Sequence, residues 1–263
     1  MSSTIIRKPA VAGLFYEAES GRLKQHIAAL IASTEARNAE SPRALIVPHA
    51  GYVYSGHTAA QAYRCLQSVK HRVKRVALFG PAHRVYLQGM AVPSVDAFET
   101  PLGQLLLDRD AISQLAQMPN VVESDEAHRE EHSLEVQLPF LQSILDGFTL
   151  VPVVVGSCDP QSVANAMDAL CIDLQTLLIV SSDLSHFHNY EQANIIDRRS
   201  CERLLAKDDS LLGTEACGAN ALNGLMRSRT ASALQVELLE RCNSADAGGD
   251  RNRVVGYGSF ILH

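Results

Sequence analysis

The feature that most constrains this chain is an apolar run that ends in proline and then histidine, and it occurs twice. Ala44-Leu45-Ile46-Val47 leads into Pro48 and His49, and Val76-Ala77-Leu78-Phe79 leads into Gly80-Pro81-Ala82-His83. Four apolar residues in a row read as a strand buried on both faces, the kind found in a parallel sheet covered by helices. Proline cannot donate to a strand ladder, so it ends the strand and hands the histidine to the following loop. Ligands of open α/β sheets bind outside the carboxyl ends of the strands. Two histidines presented in the same way suggest one crevice fed from two strands.

Further runs extend the pattern. Phe148 to Gly156 reads as a central strand, Pro160 to Cys171 as a crossover helix, and Thr176 to Val180 as another strand that leads into Ser181-Ser182-Asp183-Leu184-Ser185-His186. Strand, helix, strand alternation predicts an α/β fold with a central, mostly parallel sheet flanked by helices. The carboxyl ends of that sheet would carry His49, His83, Asp183 and His186 together.

Around this frame, Ser20 to Ser33 has helical spacing with Ser20 as a possible N-cap, and Glu35 to Pro42 is a polar connector. Ser55 to Leu66 reads as a small-residue helix; His57 at its start is a polar first-turn residue or lines the site. Tyr52 and Tyr54 pack, or offer a phenol to the crevice. Gln88 to Leu107 reads as an excursion of short strands, and Asp108 caps a helix over Arg109 to Gln117. Asp125 to Ile144 reads as a helix kinked at Pro139, with Glu126 to Glu131 solvated and His132 and Glu135 sharing one face at i and i+3. Tyr190 to Ala206 is an exterior amphipathic helix. Glu215 to Leu222 starts a small-residue helix with Cys217 near its first turn, where a thiolate is favoured; an inert buried cysteine is the alternative. Val254 to Leu262 closes the chain as a strand.

Composition excludes several function classes. A net charge of -6 over 263 residues leaves no basic face for nucleic acid or an anionic membrane. No apolar run approaches the ~20 residues of a membrane span, and Met1 to Ala12 lacks the apolar core of a signal peptide, so a cytoplasmic protein is expected. The six cysteines form no C-x-x-C pair, which argues against a zinc knuckle or a disulfide framework. With no repeat or linker, residues 1–263 are read as one domain.

Two neutral imidazoles from two strand ends are natural ligands for a divalent metal, and an anionic third ligand would complete a facial set. A carboxylate there suits non-haem Fe(II); a thiolate shifts preference toward Cu(I) or Zn. Asp183, His186 and His132 could then act as acid, base or orienting groups.

P-H-A-G-Y at 48–52, G-P-A-H at 80–83, E-H-S-L-E at 131–135, S-S-D-L-S-H at 181–186 and A-C-G at 216–218 resemble the Memo family, whose prokaryotic members are often called AmmeMemoRadiSam system protein B. The resemblance runs in order along nearly the whole chain. It implies an α/β sandwich like that of the class III extradiol ring-cleaving dioxygenases, with a metal at the strand ends. By motif it implies His49, His83 and Cys217 as metal ligands, with His132, Asp183 and His186 as catalytic groups and His186 at the position of the general base. Those dioxygenases carry a glutamate where this chain has Cys217. The implied cofactor is Fe(II) or copper, with zinc a further choice. The implied partner is a small catechol-like substrate or, in a non-catalytic metal-holding protein, a peptide in the same cleft.

Overall fold

The computed structural model describes residues 4–35 and 41–263, so most of the connector expected over Glu35 to Pro42 lies outside the described residues. In chain order the strands are β1 (Ile6–Arg7), β2 (Ala44–Val47), β3 (Arg75–Pro81), β4 (Met90–Val92), β5 (Ala97–Thr100), β6 (Gly103–Leu106), β7 (Val121–Glu123), β8 (Thr149–Val155), β9 (Thr176–Ser181), β10 (His186–His188), β11 (Val236–Asn243) and β12 (Val254–Leu262). The helices are α1 (Ser20–Ala32), α2 (Tyr52–Arg64), α3 (Arg109–Leu115), α4 (Asp125–Arg129), α5 (Leu138–Ile144), α6 (Pro160–Leu170), α7 (Tyr190–Leu205), α8 (Ala219–Arg227) and α9 (Arg229–Ser232).

Nine strands form the main sheet in the order β10-β12-β2-β9-β3-β8-β4-β7, with β11 paired to β12. Its centre, β2, β9, β3 and β8, is parallel. Both margins turn antiparallel, at β12 against β2 and at β4 against β8. The sheet is therefore mixed, with a parallel core where the sequence shows unbroken apolar runs. Those runs are buried on both faces: Leu45, Val47, Ala77, Phe79, Val153 and Val180 are all fully enclosed. Each buried Val, Leu or Phe of this kind is worth about 1.5–3 kcal/mol relative to exposure, so the central strands anchor the fold. The short strands expected between Gln88 and Leu107 form in part a separate three-stranded sheet, β1-β5-β6.

Two helix readings shift. Helix α2 begins at Tyr52 rather than Ser55, directly after the Gly51 N-cap, so Tyr52 points into the core and stacks near Phe140 with ring centroids 4.9 Å apart. The segment read as one kinked helix from Asp125 to Ile144 is instead α4, a loop, a single 3-10 turn over Glu135–Gln137, and α5 with Pro139 in its first turn. A proline in the first helical turn needs no N–H partner, so it starts a helix here and does not bend one.

The break has a cause. Glu135 is fully buried and takes the N-terminal arm as its partner: Tyr16 Oη donates to it at 2.6 Å, Ala10 N at 2.8 Å and Val11 N at 3.0 Å, and Arg7 forms a close ion pair with it. Arg7 also donates to the carbonyls of His128 at 3.1 Å and Glu131 at 2.7 Å. The arm thus clamps the loop that carries His132.

Candidate metal centre

Because β2, β9 and β3 lie side by side and run parallel, the segments leaving their carboxyl ends meet. His49 leaves β2, His83 leaves β3 and Asp183 leaves β9, while the clamped loop brings His132 in from the side. One ring nitrogen from each of His49, His83 and His132 lies within 4.8 Å of the others. The ring centroids of His83 and His132 are 4.8 Å apart and nearly stacked, and His49 stands edge-on 5.2 Å from one and 5.5 Å from the other.

Hydrogen bonds fix which nitrogen of His49 carries the proton. Ser181 Oγ donates its only hydrogen to the Ser133 carbonyl at 2.6 Å. Gln137 Nε2 donates to Ser181 Oγ at 2.8 Å and to the Pro48 carbonyl at 2.9 Å, while Gln137 Oε1 accepts from Tyr63 Oη at 2.8 Å. His49 Nδ1, 2.9 Å from Ser181 Oγ, must therefore donate, which leaves Nε2 with its lone pair.

His83 is set by a carboxylate. Its Nδ1 donates to Glu131 Oε1 at 3.0 Å and its backbone N–H to Oε2 at 2.6 Å, while the N–H groups of His132 and Ser133 each reach Oε1 at 2.9 Å. Burial alone would raise the Glu131 carboxyl, but the His83 hydrogen bond and charge outweigh it and hold the group at about 2. Burial lowers His49 well below the usual histidine range, with the neighbouring His83 adding to it. Burial and then the charge of His49 bring His132 to about 4. Near neutrality His49 and His132 are therefore neutral imidazoles beside the Glu131 carboxylate, the protonation state in which histidine binds metals.

The donor set fits a metal ion. His49 and His83 each have one nitrogen held by a fixed acceptor, as metal-bound histidines do. The Nδ1 atom of His132 is buried with no hydrogen-bond partner among the described residues. Gly80 permits the approach of this loop, since a Cβ there would stand 2.8 Å from Leu134 and 2.9 Å from Ser133 Oγ.

Cys217 precedes α8, and its Sγ lies 3.3 Å from His49 Nε2 and accepts the Asp183 N–H at 3.3 Å. Burial, followed by the charge of Asp183, pushes the thiol well above its usual range. Of the two readings for Cys217, a thiolate favoured by the helix N-terminus and an inert buried cysteine, the structure agrees with the buried thiol, whose Sγ stands beside the His49 lone pair. Asp183 is buried, accepts the His49 N–H at 2.8 Å through Oδ1, and has its carboxyl raised by that burial. His186 Nδ1 donates to the Leu184 carbonyl at 3.0 Å, so Nε2 is the ring nitrogen left available. Together with His132 and Asp183, His186 lines a cleft of about 440 Å³ walled by Phe15, Tyr54 and Tyr257.

Four polar residues near the sequence motifs stand outside the metal cluster. His57 Nδ1 pairs with the Glu240 carboxylate at 3.1 Å. Glu135 holds the N-terminal arm and does not share a face with His132. Glu215 is held by Arg203 at 2.7 Å and by the Leu212 N–H at 2.8 Å. Tyr52 donates to the Val136 carbonyl at 2.8 Å and serves packing. Conversely, Glu131 is buried where a solvated helix start was expected, and Ser181 and Gln137 were not singled out at all. The available signal was polar residues inside otherwise apolar stretches: Ser181 closing a buried strand and Gln137 between Val136 and Leu138.

Residues 7–261 match the family model of the Memo-like proteins. A MEMO1 family protein of Thermoplasma volcanium is 34% identical over 274 aligned residues, covering 98% of this chain and 98% of that one. One from Methanosarcina barkeri is 35% identical over 273 residues, covering 98% of this chain and 100% of its own. The solved structure of an uncharacterized protein from Escherichia coli K12 is similar in fold, with a TM-score of 0.52 at 12% identity, covering 85% of this chain and 100% of that one.

Proposed function

We propose that this chain, which belongs to the Memo family, binds one metal ion at the histidine cluster and acts as a dioxygenase-like redox protein on a small catechol-like molecule in the adjoining cleft. The observation that carries the reading is the set of three ring nitrogens within 4.8 Å at the ends of neighbouring parallel strands. His49 and His83 belong to every version of the site; Cys217 is the third ligand on the family resemblance, and His132 on ring geometry. Bound Fe(II) or copper, with zinc a further choice, would supply Lewis-acid and redox chemistry there.

The chain's own residues give the cleft its chemistry. His186 Nε2, free because Nδ1 donates to the Leu184 carbonyl, can take a phenolic proton. His132, neutral and facing the cleft, can donate to or orient a bound molecule. Phe15, Tyr54 and Tyr257 give the cleft aromatic walls. Anaerobic loading with Fe(II), followed by oxygen-uptake assays on catechols and aminophenols, tests the enzymatic reading. Turnover supports it; a fully loaded but inert protein refutes it.

A second reading, a metal-holding protein whose cleft admits a peptide, is favoured by the 3.3 Å approach of Cys217 Sγ to His49 Nε2. A thiolate and imidazole set suits Cu(I). Cu(I) competition titrations should then show weaker binding in Cys217→Ser, and equal affinity would count against it. A cytoplasmic setting belongs to the same proposal and is supported by six cysteines that are all free. Among the described residues no helix is long and apolar enough to cross a membrane.

A further inference from the structure

The cleft beside the histidines has an apolar rim. Leu14, Val53 and Tyr54 line it and remain 80%, 70% and 43% exposed, more apolar surface than a wall with no occupant needs. Its volume of about 440 Å³ accommodates a single aromatic ring with substituents.

Among the described residues lining this cleft, Arg253 is the only arginine or lysine. Its guanidinium lies over the Phe187 ring, 4.4 Å from the centroid, and it makes no ion pair with any described residue. Phe187 has φ 64°, a conformation that costs a bulky L residue on the order of 1–3 kcal/mol. That turn separates neighbours in function: His186 lines the cleft, and Phe187 forms the platform for Arg253. The two carboxylates on the same walls are already engaged. Asp250 Oδ1 accepts from Asn252 N at 2.9 Å and from its Nδ2 at 3.3 Å, and Asp183 Oδ1 accepts from His49 N at 2.8 Å. Arg253 thus lines the cleft with its guanidinium stacked on a ring and with no ion-pair partner among the described residues.

We propose that Arg253 determines specificity by binding the carboxylate of a small aromatic acid whose ring lies between the apolar walls. The inference rests on the cleft being the ligand site of the reading above. A stacked, planar guanidinium presents paired N–H donors that match a carboxylate, which a lysine in the same place would not.

The test is calorimetric titration with 3,4-dihydroxybenzoate and with catechol, which differ only in the acid group, on anaerobic protein with and without one equivalent of Fe(II). Wild type should bind the acid about tenfold more tightly than catechol, a span typical of one charge-assisted pair. Arg253→Gln should lose that preference, and Arg253→Lys should recover part of it. Equal affinity for both probes in wild type, preference retained in Arg253→Gln, or no binding of the acid would each overturn the proposal. Fe(II) uptake measured on the same wild-type sample separates the two claims: a carboxylate preference without iron uptake would sink the metal reading and leave the Arg253 assignment standing.

Discussion

Glu131→Gln is the perturbation that most sharply separates a built metal site from three adjacent histidines. The carboxylate is buried and receives four N–H donors: His83 Nδ1 at 3.0 Å and the His132 and Ser133 amides at 2.9 Å on Oε1, and the His83 amide at 2.6 Å on Oε2. A carboxamide of the same shape has only one acceptor oxygen. Placed at Oε2, its NH2 opposes the His83 amide; placed at Oε1, it opposes the other three donors. At least one buried donor is left facing another, which costs about 1–3 kcal/mol of folding stability. His83 also loses the anion that keeps its proton on Nδ1, so the lone pair of Nε2 is no longer assured. Losing such an outer partner of a ligating histidine typically weakens metal binding about 10–100-fold. Competition titrations with a chromophoric chelator measure the affinity, and urea denaturation of the metal-free protein measures the stability. Affinity within about twofold of wild type, together with an unchanged urea midpoint, would refute the role assigned to Glu131.

Other perturbations have equally definite outcomes. Arg7→Met leaves Glu135 buried without its ion pair and should cost about 3–5 kcal/mol in urea denaturation; a cost below about 1 kcal/mol would show that the arm is not clamped as described. His128 is buried with Nε2 donating to the Ala91 carbonyl at 3.0 Å, and burial brings it to about 4. Its folded value lies below the unfolded one, so the unfolded chain binds the extra proton first, and stability should fall as pH drops from 6.5 to 4 and stay flat above 6.5, by on the order of 3 kcal/mol for this group; urea midpoints across that range, compared with His128→Gln, check the slope. Gly218→Ala would bring a Cβ within 2.7 Å of Ser182 Cβ and 3.0 Å of the Ser181 carbonyl. It should destabilise by about 1–3 kcal/mol and speed thiol labelling of Cys217, and unchanged labelling would argue against tight packing there.

What the sequence revealed and what it hid follow from the range of the interactions. His49 and His83 were legible because a buried strand, a proline and a histidine are contiguous, and strand-end placement is a local consequence of that order. Their uniformly apolar character places β2, β9 and β3 in the covered centre of the sheet; that β9 lies between the other two, which brings Asp183 beside both, is seen only in the structure. Glu131 was hidden because its burial depends on amides and an imidazole gathered around it by a non-helical loop, and that loop exists because Arg7 and Glu135, far apart in sequence, pair. Helical periodicity therefore holds for the start of 125–144, where α4 forms and Glu126, Arg129 and Glu130 are exposed, and fails beyond it, where Glu131 and Glu135 face donors from other segments. For Cys217 the sequence left two readings open, and burial, with Asp183 beside it, outweighs the helix start and favours the neutral thiol.

The central claim is that His49 and His83 are built to hold one metal ion. Anaerobic titration of the purified chain with Fe(II), and separately with Cu(I) under chelator competition, tests it most directly when wild type is compared with His49→Ala. Saturation at one equivalent per chain and loss of at least about tenfold in affinity in the variant are expected. No saturable uptake of either ion, or equal uptake by wild type and His49→Ala, would contradict it.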